Sequence, residues 1–130
     1  MTHLEILPIA AALAFLFLTV FRLAAINAPP RGNWVLPAGL SIVFAAYTGV
    51  ALVREGVIGF WTNHTANMLG NQVWFDLLLA LGMIWFLVAR EAKNLGMRLP
   101  LWLLFIVCSG SIGTFAMIAR FTYLKERQKT

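Results

Sequence analysis

Residues 71–94 read NQVWFDLLLALGMIWFLVAREAKN, and this stretch decides the fold. From residue 73 to residue 89 it is apolar apart from Asp76, and it shows no alternation of apolar and polar positions. A helix needs about 20 predominantly apolar residues to cross the hydrocarbon core of a bilayer, whereas strands are shorter and alternate. The stretch therefore predicts a transmembrane helix.

Three further stretches of the same kind lie outside this one, separated by polar connections that contain Pro or Gly. Residues 27–33 (NAPPRGN) form a helix stop, and Gly96 is expected as a C-terminal cap. The chain is 61% hydrophobic and 12% charged, while soluble domains are roughly 25% charged. The sequence thus predicts an all-α protein with a single domain over residues 1–130, an integral membrane bundle of four transmembrane helices. The predicted helices span residues 4–26, 34–53, 71–94 and 100–123.

Four crossings divide the connections between two sides of the membrane. The N-terminus, the 54–70 connection and the C-terminal tail fall on one side (side A), and the two short turns fall on the other (side B). The cations are divided equally, with Arg54, Arg120, Lys125, Arg127 and Lys129 on side A and Arg22, Arg31, Arg90, Lys93 and Arg98 on side B. The compact cationic tail favours a cytoplasmic side A, in a multi-pass protein of the bacterial inner membrane with both termini on one side.

Two ionisable side chains fall inside predicted spans near side A. Asp76 lies one to two turns into the third predicted helix, and Arg120 lies near the end of the fourth. Because charges in hydrocarbon are costly unless paired or hydrated, the two are expected to approach each other. Small residues recur on the face of the arginine at helical spacing, namely Ala116, Gly113 and Ser109. Such faces pack closely, so three interpretations stay open: a structural ion pair, a pair that grips a polar ligand, and an arginine that snorkels to head groups.

Polar and aromatic residues of the 54–70 connection are expected near this pair. The candidate ligand-binding residues are Asp76, Arg120, His64, Asn67, Asn71, Trp61 and Trp74. Together they suit the head group of a lipid, quinone or carotenoid whose tail lies between helices, although the more ordinary interpretation of His64 is a surface residue. No catalytic residue is assigned. No metal or haem site is expected, because neither His3 nor His64 lies inside a span and Cys108 is the single cysteine.

The second half of the chain carries a family resemblance. Residues 74–78 read WFDLL, residues 89–97 read AREAKNLGM, and residues 120–127 read RFTYLKER, with Gly113 between the last two. This pattern resembles a family of small bacterial four-helix membrane proteins of unknown function, and is more distantly similar to the neoxanthin-synthase-like proteins of plastid membranes. The resemblance implies a four-helix membrane fold and two polar positions, Asp76 and Arg120, rather than an activity.

The sequence leaves two functions open. The favoured one is a non-enzymatic accessory or scaffold subunit that packs against a larger integral membrane complex, or forms a homo-oligomer, and holds lipid or pigment. The absence of a convincing catalytic set and the aromatic and leucine-rich surface of every span motivate it. The alternative is a small membrane enzyme or binding protein for an isoprenoid or carotenoid-type ligand that uses Asp76 and Arg120. Nucleic acid is not expected as a partner, because the net charge of +5 comes mostly from cations that flank apolar segments.

Overall fold

The computed structural model describes residues 3–24, 26–27 and 31–129, and within them the chain is all-helical. The helices are α1 (His3–Ala24), α2 (Val35–Thr65), α3 (Met68–Asn94), α4 (Leu99–Ser109) and α5 (Ser111–Gln128). The all-α prediction is confirmed, but the prediction of four helices is wrong, because these residues form five. The chain divides into two compact units, Met1–Pro30 and Arg31–Thr130.

The first unit contains α1, which agrees closely with the predicted helix 4–26. Its first turn carries Glu5 and its last turn Arg22, charges of the signs that favour the two ends of a helix dipole. Large apolar side chains are exposed along the helix, Phe15, Phe17 and Leu23 among them at 65%, 69% and 69% exposure. α1 therefore presents an apolar surface rather than a buried stripe.

The second unit opens with α2, which continues well past the predicted end at residue 53. Its backbone leaves the helical conformation at Gly56, where φ is 75° and ψ is 165°, and then resumes the helix. Glycine adopts positive φ at little cost, so the chain changes direction there without a loop. The predicted 54–70 connection is therefore wrong in its conformation, since residues 57–65 are helical and only two residues separate α2 from α3.

The third helix begins three residues before the predicted start and ends where it was predicted to end. Asn67 caps it, since the Asn67 Oδ1 accepts a hydrogen bond of 2.8 Å from the Gly70 N–H. At the other end Gly96 has φ of 81°, and the Met97 N–H donates to the Ala92 carbonyl at 3.0 Å. This is the glycine C-terminal cap that the sequence predicts.

The fourth predicted helix, 100–123, is in fact two helices that fold against each other. The break lies at Gly110, with φ of 58° and ψ of −121°. Close approach of the two helices requires Gly113, because a Cβ atom there would lie 2.9 Å from the backbone of Ile106. Met117, exposed by 2%, joins Ile106 in the buried cluster that α4 and α5 share with the end of α3. These residues form a helical hairpin.

The hairpin returns α5 to the end of the unit where α2 begins. The Glu126 carboxylate accepts hydrogen bonds from the backbone N–H groups of Gly32 at 3.0 Å and Asn33 at 2.9 Å. The rings of Trp34 and Tyr123 meet edge to face, with centroids 5.7 Å apart. We call residues 31–34, 90–98 and 123–129 the tail end, and residues 57–76 the α2–α3 corner. The prediction that the C-terminal tail lies with the 54–70 connection is wrong, because the hairpin reverses the direction of the chain.

Candidate functional site

The α2–α3 corner is a tight turn held by polar contacts of its own backbone. Gly70 fits against α2 so closely that a Cβ atom would lie 2.7 Å from the Asn63 carbonyl oxygen. The Asn71 side-chain amide donates a hydrogen bond of 3.1 Å to the His64 carbonyl, one of the carbonyls that the end of a helix leaves without an internal partner. Asn67 and Asn71, both predicted as ligand groups, thus also have structural roles in the turn.

Three rings pack together across this corner. The Phe60 and His64 centroids lie 4.6 Å apart, and Trp74 from α3 lies 5.1 Å from the first and 5.5 Å from the second. The His64 Nδ1 lies 2.7 Å from the Phe60 carbonyl oxygen. Since a carbonyl only accepts, Nδ1 carries the proton, and the Nε2 of a neutral ring is an acceptor. The ring is therefore oriented by its own helix and keeps one nitrogen for another group.

Two adjoining cavities open at this corner. The smaller has a volume of about 220 Å³ and is lined by Phe60, Trp61, His64, Thr65, Asn71, Trp74 and Phe75. The larger is an open groove of about 810 Å³ along α3, lined by Asn67, Met68, Asn71, Gln72, Phe75, Asp76 and Leu79. Asn71 and Phe75 belong to both. The structure thus brings six of the seven predicted site residues around one pair of cavities, and the seventh, Arg120, lies elsewhere.

Asp76 is the one acidic residue of the groove. It is exposed and shares a face of α3 with Gln72, four residues earlier, and with Leu79, three residues later. Within the part of the chain that the structure describes, its carboxylate forms no salt bridge and no hydrogen bond with another side chain. The groove therefore presents an uncompensated carboxylate beside apolar side chains.

The predicted pairing of Asp76 with Arg120 is absent from the described residues. Asp76 lies about 22 Å along α3 from Glu91 at a rise of about 1.5 Å per residue. Arg120 lies within two turns of Lys125, which pairs with Glu91 at 2.8 Å. The Arg120 guanidinium instead lies 5.8 Å from the centroid of the Tyr123 ring. The hairpin explains the difference, because it turns α5 away from the corner.

Neither cavity has the composition of a metal centre. Among the residues that the structure describes, no three or more His, Cys, Asp or Glu side chains lie together in a group that could hold a metal ion. The chemistry available at the corner consists of amide donors and acceptors, one imidazole nitrogen, one carboxylate and aromatic faces. Such a set orients a polar group by hydrogen bonds and ring contacts.

No family model, curated protein or solved structure matches the chain. The resemblance to four-helix bacterial membrane proteins therefore stays a prediction, and the geometry carries the functional argument.

Sequence reasoning missed the contacts of the tail end. Glu126 accepts from two backbone N–H groups just before α2, and Glu91 pairs with Lys125. The sequence contains two signals for such contacts. A carboxylate is favoured at the positive end of a helix dipole, and both glutamates have cations as sequence neighbours. Nothing in the spacing, however, indicates which helix start receives Glu126.

Proposed function

We propose that the chain is a multi-pass integral membrane protein in which α1, α2 and α3 cross the bilayer. Three helices are long and apolar enough to do so, Glu5–Ala24, Val35–Thr65 and Met68–Asn94. α4, with 11 residues, is about 16 Å long, which is about half the thickness of the hydrocarbon core. In this proposal α4 and α5 enter and leave the membrane from one side as a re-entrant hairpin.

This arrangement replaces the four-span topology expected from hydropathy. It has three crossings and a re-entrant hairpin in place of four crossings. Non-helical backbone at membrane depth is tolerated where protein buries it. The break at Gly110 meets that condition in part, since the Ser41 hydroxyl of α2 donates to the Ile112 carbonyl at 2.9 Å and Ser41 is buried.

Within the membrane, the chain acts as a non-enzymatic accessory subunit of a larger integral membrane complex. The observation that carries this proposal is Asp76, an exposed carboxylate that forms no ion pair within the described residues and lies in the otherwise apolar stretch 73–89 of α3. Lipid tails cover Phe75 and Leu79 well, but an isolated carboxylate at the depth of acyl chains costs several kcal/mol. A polar surface of a partner membrane protein, seated in the groove, removes that cost.

The smaller cavity supports the second part of the proposal, a lipid or pigment held at the contact. Its volume of about 220 Å³ suits a head group or a single ring rather than a whole ligand, whose tail would lie along α3. The His64 Nε2, the Asn71 amide and the Trp74 face provide contacts for such a group.

The alternative, a small enzyme for an isoprenoid-type substrate, requires Asp76 and Arg120 to act together. The two side chains lie in different parts of the second unit and form no ion pair. The observations at the corner therefore favour the accessory role over this alternative.

The test is purification of the tagged full-length chain from its native membranes in a mild detergent, followed by mass spectrometry of proteins and lipids. We expect co-purification with a larger membrane assembly that Asp76→Asn reduces several-fold. Glu55→Gln is the matched control, since Glu55 is exposed and lies outside both cavities. A monodisperse chain without partner, or equal losses in the two variants, would contradict the proposal.

A further inference from the structure

The hairpin concentrates positive charge at one end of the second unit. Seven of the nine lysines and arginines within residues 31–129 lie at the tail end, namely Arg31, Arg90, Lys93, Arg98, Lys125, Arg127 and Lys129. The contacts of Glu126 with the start of α2 and of Lys125 with Glu91 are what bring the C-terminal cations there. In a four-span bundle these cations would instead have lain beside the corner.

The tail end has seven cations and two carboxylates within the described residues. The two acidic residues of the tail end are already engaged, Glu91 with Lys125 and Glu126 with backbone N–H groups. Arg90, Lys93 and Arg98 are exposed, and no salt bridge forms at these three side chains within the described ranges. Arg90 and Lys93 lie in the last two turns of α3 and Arg98 lies just before α4, so the three side chains surround the turn between these helices.

We propose that the tail end is a contact surface for the head groups of anionic phospholipids in the cytoplasmic leaflet. Cations at the ends of apolar spans are enriched on the cytoplasmic side, where anionic lipids attract them. At the opposite end of the second unit, Arg54 lies beside Glu55 in the sequence. That end therefore has little net electrostatic attraction for anionic head groups. The tail end therefore faces the cytoplasm and the α2–α3 corner faces the other side. This inference rests on the membrane placement proposed above but not on the accessory role.

Lipid retention tests the contact surface. The purified full-length protein is reconstituted in an equal mixture of phosphatidylglycerol and phosphatidylcholine, extracted in mild detergent, and analysed for bound lipid by native mass spectrometry. We expect several-fold enrichment of phosphatidylglycerol, weaker at high salt. The double variant with Arg90→Gln and Arg98→Gln loses this enrichment, while the matched double variant with Arg54→Gln and Arg120→Gln keeps it. Equal retention of both lipids by the natural sequence, or equal losses in the two double variants, would overturn the proposal.

Cysteine labelling tests the orientation. In a Cys108→Ala background, Asn63→Cys reports the corner and Gln128→Cys reports the tail end, and both positions are exposed. With a membrane-impermeant maleimide on intact cells, we expect labelling of Asn63→Cys but labelling of Gln128→Cys only after permeabilisation. The reverse pattern would overturn the inference. Recovery of the chain in carbonate-washed membranes checks the membrane placement separately, and neither readout requires a partner complex.

Discussion

The carboxylates at the two ends of the second unit differ in whether they have partners within the chain. At the tail end, Glu126 accepts from two backbone N–H groups and Glu91 pairs with Lys125 at 2.8 Å. At the corner, Asp76 is exposed and has no such partner among the residues that the structure describes. The two ends also differ in burial. The buried cluster lies where α4, α5 and the end of α3 meet, away from the corner.

This difference indicates which end satisfies its carboxylates with groups of its own chain. The tail end satisfies its glutamates internally and packs its side chains, so it has the properties of a stabilising region. The corner has packed rings and a tight turn, but within the described residues Asp76 in its groove has no ion-pair partner. In the proposal above, a partner membrane protein meets this carboxylate.

The largest effect is expected from Gly113→Ala, which acts on the buried hairpin. The new Cβ atom would lie 2.9 Å from the Ile106 backbone, and backbone atoms cannot move aside cheaply. We expect the free energy of unfolding in detergent to fall by about 2 to 3 kcal/mol, as in other overpacked sites. Gly82→Ala is the control, since nothing lies within 4 Å of its Cβ position, and it should be neutral or stabilise by up to about 1 kcal/mol. Equal effects would mean that α4 and α5 do not pack as described.

An intermediate effect is expected from Glu126→Ala. It removes the acceptor of the Gly32 and Asn33 N–H groups, and we expect a loss of about 1 to 2 kcal/mol because these donors lose their partner. Glu126→Gln, which keeps one acceptor oxygen, should lose less. The same unfolding assay applies, and Glu55→Ala should change stability by no more than about 0.5 kcal/mol. If Glu126→Ala behaved like that control, the tail end would not depend on this contact.

The smallest effect on the isolated chain is expected from Asp76→Asn. Because no ion pair within the described residues is lost and a charge is removed from an apolar surface, the free energy of unfolding should stay within about 0.5 kcal/mol or rise slightly. Glu126→Gln is the comparison, since it makes the same acid-to-amide change at the other end. A larger loss from Asp76→Asn than from Glu126→Gln would show that the corner already holds a partner for Asp76 within the chain.

Hydropathy and turn chemistry predicted the first and third helices well. Residues 4–26 and 71–94 correspond to α1 and α3 within a few residues, and Gly96 caps α3 as expected. These features depend on local sequence, namely unbroken apolar runs and a glycine that accepts positive φ. Six of the predicted site residues lie around the corner cavities for a similar reason, because they are close together in sequence on either side of one turn.

The sequence does not predict the hairpin, because residues 100–123 are together long enough for one span. Gly110 lies within the run Ser109 to Gly113, and those small residues suit a straight packing face as well as a bend. A signal was present, since α4 is apolar while α5 carries Thr114, Arg120 and Thr122 and is not among the candidate spans. The bend itself depends on tertiary contacts, such as Ser41 with Ile112, that no local pattern contains. The predicted pairing of Arg120 with Asp76 is wrong for the same reason, because the hairpin reverses the direction of the chain before Arg120.

The bend at Gly56 also bears on hydrophobic mismatch between protein and bilayer. An unbroken helix of 31 residues would be about 46 Å long, well beyond a hydrocarbon core of about 30 Å, and would have to tilt or distort the membrane. The part of α2 before Gly56 is only about 30 Å long. In the membrane placement proposed above, the bend matches the first part of α2 to the bilayer thickness and separates the remaining length as a short helix. That helix carries Phe60 and His64 to Trp74, so the residues that would be mismatched in a straight helix instead form the wall of the smaller cavity.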